Sequence, residues 1–160
     1  MKIIAIDPGY ERLGIAVIER EQKNKEVLIY SECFKTDKKL PHPERLNLVG
    51  KRIAELILKY KPEFLATEKL FFSKNTKTAM QVAETRGIII NEAMQHNLKV
   101  REFHPAEIKI AITGHGRSDK KQIIDMLPRL INIKTKISYD DEYDAIACGL
   151  TFFAHYRFNV

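Results

Sequence analysis

Four acids are placed where they could do chemistry together: Asp7, Glu68, Asp141 and Asp144. Asp7 closes the apolar run KIIAID and is followed at once by Pro8-Gly9, while Glu68 closes a second apolar run, EFLATE. Asp141 and Asp144 stand three apart at the head of the stretch Asp141–Tyr156, so on a helix both project from one face of its first turn. Acids at the carboxyl ends of neighbouring strands point into the crevice where mixed α/β sheets hold ligands. If the helix turn packs on those strand ends, four carboxylates converge. Such groups cannot all stay ionised at close range without cations. Hard divalent ions resolve the conflict, since Mg²⁺ takes oxygen ligands and keeps waters that leave room for phosphate oxygens. Two such ions about 3.5–4 Å apart activate a water and stabilise the leaving oxygen of a phosphodiester.

Each acid also has an ordinary structural use. An Asp before Pro-Gly commonly bonds its own turn backbone. Asp140, Asp141 and Glu142 at a helix start serve capping and the macrodipole. Glu68 is harder to explain in that way, because it ends a strand of apolar residues. Spacing alone leaves both readings open. It also leaves open whether Asp140 or Asp141 is the third acid.

The elements that must position these residues follow from periodicity. Lys2–Asp7, Leu13–Arg20 and Val27–Phe34 are short apolar runs with tight connections, expected as an antiparallel meander. Leu46, Val49, Ile53, Leu56, Ile57 and Tyr60 recur at helical spacing, with Arg, Lys and Glu between them. That predicts an amphipathic helix over Pro43–Tyr60, ended by Lys61-Pro62. Glu63–Glu68 is the next strand, Phe71–Lys77 a loop, Thr78–His96 a helix and Leu98–Phe103 a fifth strand. Helices are expected at Pro105–Ile112, Asp119–Ile131 and Asp141–Tyr156, with the glycine-bearing loop TGHGRS (Thr113–Ser118) between the first two. The pattern predicts one α/β domain over residues 1–160, a mixed five-stranded sheet with helices on both faces.

Composition agrees with a folded domain: 160 residues, 44% hydrophobic and 30% charged. An excess of 27 Lys+Arg over 21 Asp+Glu gives +6, which favours a polyanionic partner without proving one. Cys33 and Cys148 show no zinc-type spacing, and no apolar run reaches membrane-spanning length. The opening MKIIAIDPG is too short for a signal peptide, so a reduced, cytoplasmic protein is expected.

Taken in order, the motifs resemble the RuvC family of Holliday-junction resolvases. They are IAIDPG (Ile4–Gly9), ATEKLFFSKNTKTA (Ala66–Ala79), AETRG (Ala83–Gly87), HPAEIKIAITGHGRSDKKQ (His104–Gln122), LPRLINI (Leu127–Ile133) and the DxxDAxA stretch Asp141–Ala147. DPG alone is a weak signal, but the ordered set runs along nearly the whole chain. The resemblance implies an RNase H-like fold and a homodimer that nicks two equivalent strands of a four-way junction in recombination and repair. It implies Mg²⁺ (or Mn²⁺), two ions per subunit, with Asp7, Glu68, Asp141 and Asp144 as the metal-binding catalytic set. It implies products with 5′-phosphate and 3′-hydroxyl ends, and cooperation with the RuvA–RuvB branch-migration complex.

The same resemblance assigns further roles. The family uses an aromatic at the position of Phe71 near the junction, and exposed aromatics can stack on unpaired bases. Phe72 is as readily a packing residue. Lys109 and Lys120 match family lysines that contact DNA near the scissile phosphate. Lys74, Lys77, Arg86, Arg117 and Lys121 are further candidate phosphate contacts. Gly114 and Gly116 suit a loop that needs positive φ or a close approach to DNA. His115 reads as a surface residue and His104 as structural. Glu142-Tyr143 depart from the small residues that relatives often carry between the last two acids. Competing readings are an actin-like ATPase, for which the chain is short, an RNase H-like enzyme acting on RNA–DNA hybrids, and a non-catalytic junction-binding protein.

Overall fold

The computed structural model describes residues 1–21, 25–69 and 76–156, with the side chains of Thr76 and Lys77 outside that description. Strands β1 (Lys2–Asp7), β2 (Arg12–Glu19) and β3 (Val27–Lys35) form the expected antiparallel meander. Helix α1 (His42–Tyr60) then crosses to β4 (Phe64–Glu68), and α2 (Thr76–Gln95) crosses to β5 (Lys99–Phe103). Both later strands run parallel to β1, giving a mixed sheet in the order β3-β2-β1-β4-β5. Helices α3 (Pro105–Thr113), α4 (Lys120–Leu130) and α5 (Asp140–His155) complete the chain.

Local chemistry sets the boundaries. Lys61 ends α1 in the left-handed region (φ 50°) while its N–H reaches the Ile57 carbonyl. Asp119 caps α4 by accepting the Gln122 N–H at 2.9 Å, and Gln122 returns the bond to the Asp119 N–H at 3.0 Å. The loop expected over Phe71–Lys77 is shorter than that at its far end. Helix α2 already includes Thr76, since no proline or glycine there opposes a helical turn.

The sheet is covered on both faces, and the strands show it in an alternation of size. Ile4, Ile6, Ile15, Val17 and Leu65 face α1 and α2. The alternate residues Ile3, Ala5, Ala16, Ile18 and Ala66 face α5. Three alanines on that face meet the small residues Ala145, Ala147 and Gly149 of α5. Small against small brings helix and sheet close: a Cβ on Gly149 would lie 3.1 Å from the Ala5 Cβ. α5 is thus the central buried helix of the fold, every residue from Ala145 to Phe153 being buried. Its N-terminus reaches the carboxyl end of β1.

Candidate active site

Asp7 is the last residue of β1 and Glu68 the last of β4. The two strands are parallel with Ile6 beside Thr67, so the next residue on each is an acid. On the other side of β1, Asp7 stands opposite Gly14 of β2. A side chain at Gly14 has no room, since its Cβ would come within 1.8 Å of the Asp141 carbonyl oxygen. That bare patch of backbone lets the first turn of α5 settle over the strand ends, carrying Asp141 and Asp144 on one face.

The electrostatics show that the four acids sense each other. The Asp7 carboxyl is pushed up to about 8, first by burial, then by Asp144, Glu68 and Asp141, against a smaller pull from Lys120. Burial and then Asp144 raise Glu68, while Lys109 and Lys120 oppose the shift. Asp144 is raised by burial as well, with the Lys120 hydrogen bond as the main opposing influence. Lys120 Nζ donates to Asp144 Oδ2 at 2.8 Å and lies 3.4 Å from Asp140 Oδ2. Arg12 Nε comes within 3.1 Å of Asp141 Oδ2, an ion pair that lacks hydrogen-bond geometry and leaves that buried oxygen otherwise unsatisfied.

The two neighbouring acids differ. Asp141 is among the acids that raise Asp7 and has a side chain 18% exposed; Asp140 is 60% exposed and faces Lys120. Among the described residues no three donor groups stand together as a finished metal site, and Lys120 and Arg12 are ion-paired with the acids while Lys109 lies beside Glu68. The donor set still fits a hard divalent ion: oxygen ligands only, one of them buried without a hydrogen bond, and a carboxyl driven toward protonation by its neighbours.

A cleft of about 200 Å³ opens beside the acids, lined by Glu68, Asp144, Lys109 and Lys120 over the apolar Ile108 and Ile123. Lys109 and Lys120 therefore lie in the cleft beside the acids. Arg117 and Lys121 are exposed on the approach to α4 and on its first turn. Arg86 is placed differently. It is ion-paired with Glu102 on the edge strand β5. Glu102 sits beside Phe103, a residue of the α5 face, so strand alternation turns its side chain to the α1–α2 face. Arg86 thus straps α2 to the sheet instead of offering an open charge to DNA. Phe71, Phe72 and Lys74 lie outside the described residues, and Lys77 is described as helix backbone only.

The TGHGRS loop is tied internally: Thr113 Oγ1 and Ser118 Oγ are 2.5 Å apart, and both approach the His115 carbonyl. Gly114 (φ 81°) ends α3 in the left-handed region, as its glycine suggested. His115 is exposed, and the His104 N–H donates to Glu107 at the start of α3. Cys148 is fully buried, and burial, then Glu68 and Asp7, push its thiol well above the ordinary value, which disfavours the reactive thiolate.

Three positioning residues escaped sequence reasoning. Glu142, an apparent capping acid, is buried and accepts a 2.6 Å hydrogen bond from Ser31, pinning α5 to β3. Arg45 looked like part of the polar stripe of α1, yet is 5% exposed. It donates to Thr36 Oγ1 at 2.8 Å and to the Tyr10 carbonyl at 3.2 Å, and stacks on the Tyr10 ring. The turn after Asp7 is held by this buried guanidinium. Arg12, which pairs with Asp141, gave no signal in the sequence beyond its charge.

The matched family model and the most similar curated relatives carry one description. The family model "Crossover junction endodeoxyribonuclease RuvC" matches residues 3–152. A RuvC of that description from Thermosipho melanesiensis is 41% identical over 158 residues, covering 99% of this chain and all of the relative. Among solved structures, Thermus thermophilus RuvC in complex with a Holliday junction substrate is 28% identical at a TM-score of 0.87, covering 94% of this chain and 92% of that one. The yeast mitochondrial Holliday junction resolvase Ydc2 shares the fold at a TM-score of 0.71 and 11% identity, covering 95% of this chain and 77% of that one.

Proposed function

Because the chain belongs to the RuvC family of crossover junction endodeoxyribonucleases, we propose that it resolves four-way DNA junctions with Asp7, Glu68, Asp141 and Asp144 as its metal-binding catalytic carboxylates. The observation that carries this reading is the Asp7 carboxyl, buried at a strand end and raised by three other acids drawn from β4 and α5. A folded chain keeps such repulsion when the cluster has a cation to bind. Residues 1–160 act as one RNase H-like nuclease domain.

In this family, a line of metal-dependent nucleases, the bound divalent ion (here Mg²⁺, or Mn²⁺, two per subunit) supplies an activated water and charge neutralisation at the phosphate. The chain's own groups do the rest. Asp7, Glu68, Asp141 and Asp144 would hold the ions through their carboxylate oxygens, with Asp141 rather than Asp140 as the third acid, because Asp141 is the less exposed of the two and is among the acids that raise Asp7. Lys109 and Lys120 line the cleft beside Glu68 and Asp144 and hold the scissile phosphate, Lys120 exchanging its carboxylate partner for a phosphate oxygen. Hydrolysis leaves a 5′-phosphate and a 3′-hydroxyl.

Beyond the active site, Phe71 stacks on an unpaired base at the crossover, and Lys74, Lys77, Arg117 and Lys121 contact the backbone. The working unit is a homodimer, whose two-fold symmetry matches two equivalent strands, and it cooperates with RuvA and RuvB. No described helix is long and apolar enough to cross a membrane, and we assign the protein to the cytoplasm, where such DNA is found.

The test is cleavage of an end-labelled four-way junction in Mg²⁺, beside a linear duplex and an RNA–DNA hybrid. Paired nicks in the junction are expected, abolished by Asp7→Asn with binding retained. Cleavage of the hybrid alone would move the enzyme to the hybrid-cutting class, and full activity of Asp7→Asn would overturn the carboxylate mechanism.

A further inference from the structure

Basic groups flank the acids on the β4 side, where Lys109 and Lys120 lie. The opposite side, toward β2 and β3, carries a second basic cluster that no part of the mechanism uses. Arg12 and Lys35 are direct cross-strand partners at the ends of β2 and β3. Their side chains project from the face that carries Gly14, Ser31 and α5. Like charges directly opposite each other on a sheet are unfavourable. Both are nevertheless directed at one ring, Tyr139, with Lys35 Nζ 3.4 Å from its centroid and the Arg12 guanidinium at 5.4 Å. Arg12 is partly neutralised by Asp141. Lys35 makes no ion pair among the described residues and is exposed, as is the 36% exposed Tyr139.

Resting on the nuclease reading above, we propose that Lys35, held on the face of Tyr139, is a second phosphate clamp, gripping the backbone of the cleaved strand on the side of the scissile bond away from Lys109 and Lys120. The spacing suits that role. β3 stands two strands from β1, roughly 10 Å at the usual strand separation, which spans about three nucleotides at the rise of a DNA strand. Tyr139 immediately precedes Asp140 and caps α5. A phosphate on Lys35 therefore registers the DNA against the same helix turn that carries Asp141 and Asp144. The ring holds the ammonium by cation–π attraction, which orders a side chain that would otherwise sweep solvent and limits the entropy lost on binding.

Binding of a fluorescent four-way junction in EDTA, measured by anisotropy across a KCl series, tests this independently of cleavage. Lys35→Ala is expected to weaken binding several-fold and to flatten the plot of log affinity against log salt by about one unit. Lys35→Glu should weaken it further. Tyr139→Phe should bind like wild type, because the ring face remains, whereas Tyr139→Ala should fall toward Lys35→Ala. Lys38→Ala is the control, since that lysine lies in the same connection but is paired with Glu11. Wild-type affinity and salt slope in Lys35→Glu would overturn the clamp and leave the nuclease reading standing. Failure of the wild type itself to bind a junction would overturn both.

Discussion

Gly14 lies directly under the carbonyl of Asp141: a methyl group on its Cα would sit 1.8 Å from that oxygen. The same glycine is the cross-strand partner of Asp7. One residue without a side chain thus sets the distance between the strand that carries the first acid and the helix that carries the last two.

Gly14→Ala should push the N-terminus of α5 off the sheet. Overpacking of this kind costs about 1–3 kcal/mol, on the order of 5 °C in Tm for a chain of this size. Cleavage should suffer more than folding, by about 100-fold, because the acids would be displaced by a fraction of the helix radius. Thermal unfolding and junction cleavage on one preparation check both. Wild-type values for the two would mean that α5 is placed by contacts elsewhere.

Asp7→Asn should make the metal-free protein more stable, by an amount that depends on pH. An unfolded aspartate titrates near 3.8, whereas folded Asp7 holds its proton up to about 8. Between these values the folded state binds more protons, so stability is full below the lower one and is lost as pH rises through the upper. Asparagine has no such loss. The Tm gap in EDTA should open between pH 4 and 8, and Mg²⁺ should narrow it by stabilising the wild type alone. A gap that stays constant with pH contradicts the assignment.

Asp140 and Asp141 should separate cleanly on substitution. With Asp141 as a ligand, as proposed, Asp141→Asn should cost more than the roughly 100-fold seen when a group merely supporting a ligand is lost. Asp140→Asn loses one partly exposed contact with Lys120 and should stay within about fivefold. Rates of junction cleavage over a range of Mg²⁺ concentrations decide it, and equal losses would make both acids part of the metal site.

By itself the sequence determined the fold class, the family and the identities of the candidate acids. Apolar runs ending in Asp7 and Glu68 read as strands with acids at their ends, and ordered motifs from IAIDPG to DxxDAxA are local strings that survive without a structure. The alternation Ile4-Ala5-Ile6 and Ile15-Ala16-Val17 was legible too, but not what it meant. Small residues on one strand are informative only when the helix that rests on them is known. Tertiary structure decided that pairing, and with it the approach of Asp141 to Gly14. It decided between Asp140 and Asp141 as the neighbour of Asp7, which adjacent residues of one type cannot reveal. It also turned Arg45 and Glu142 from surface charges into buried anchors and tied Arg86 to Glu102. A side chain's charge is written in the sequence, but its environment is made by residues distant in the chain, as Ser31 is from Glu142 at 111 positions, and burial and partner choice set its role.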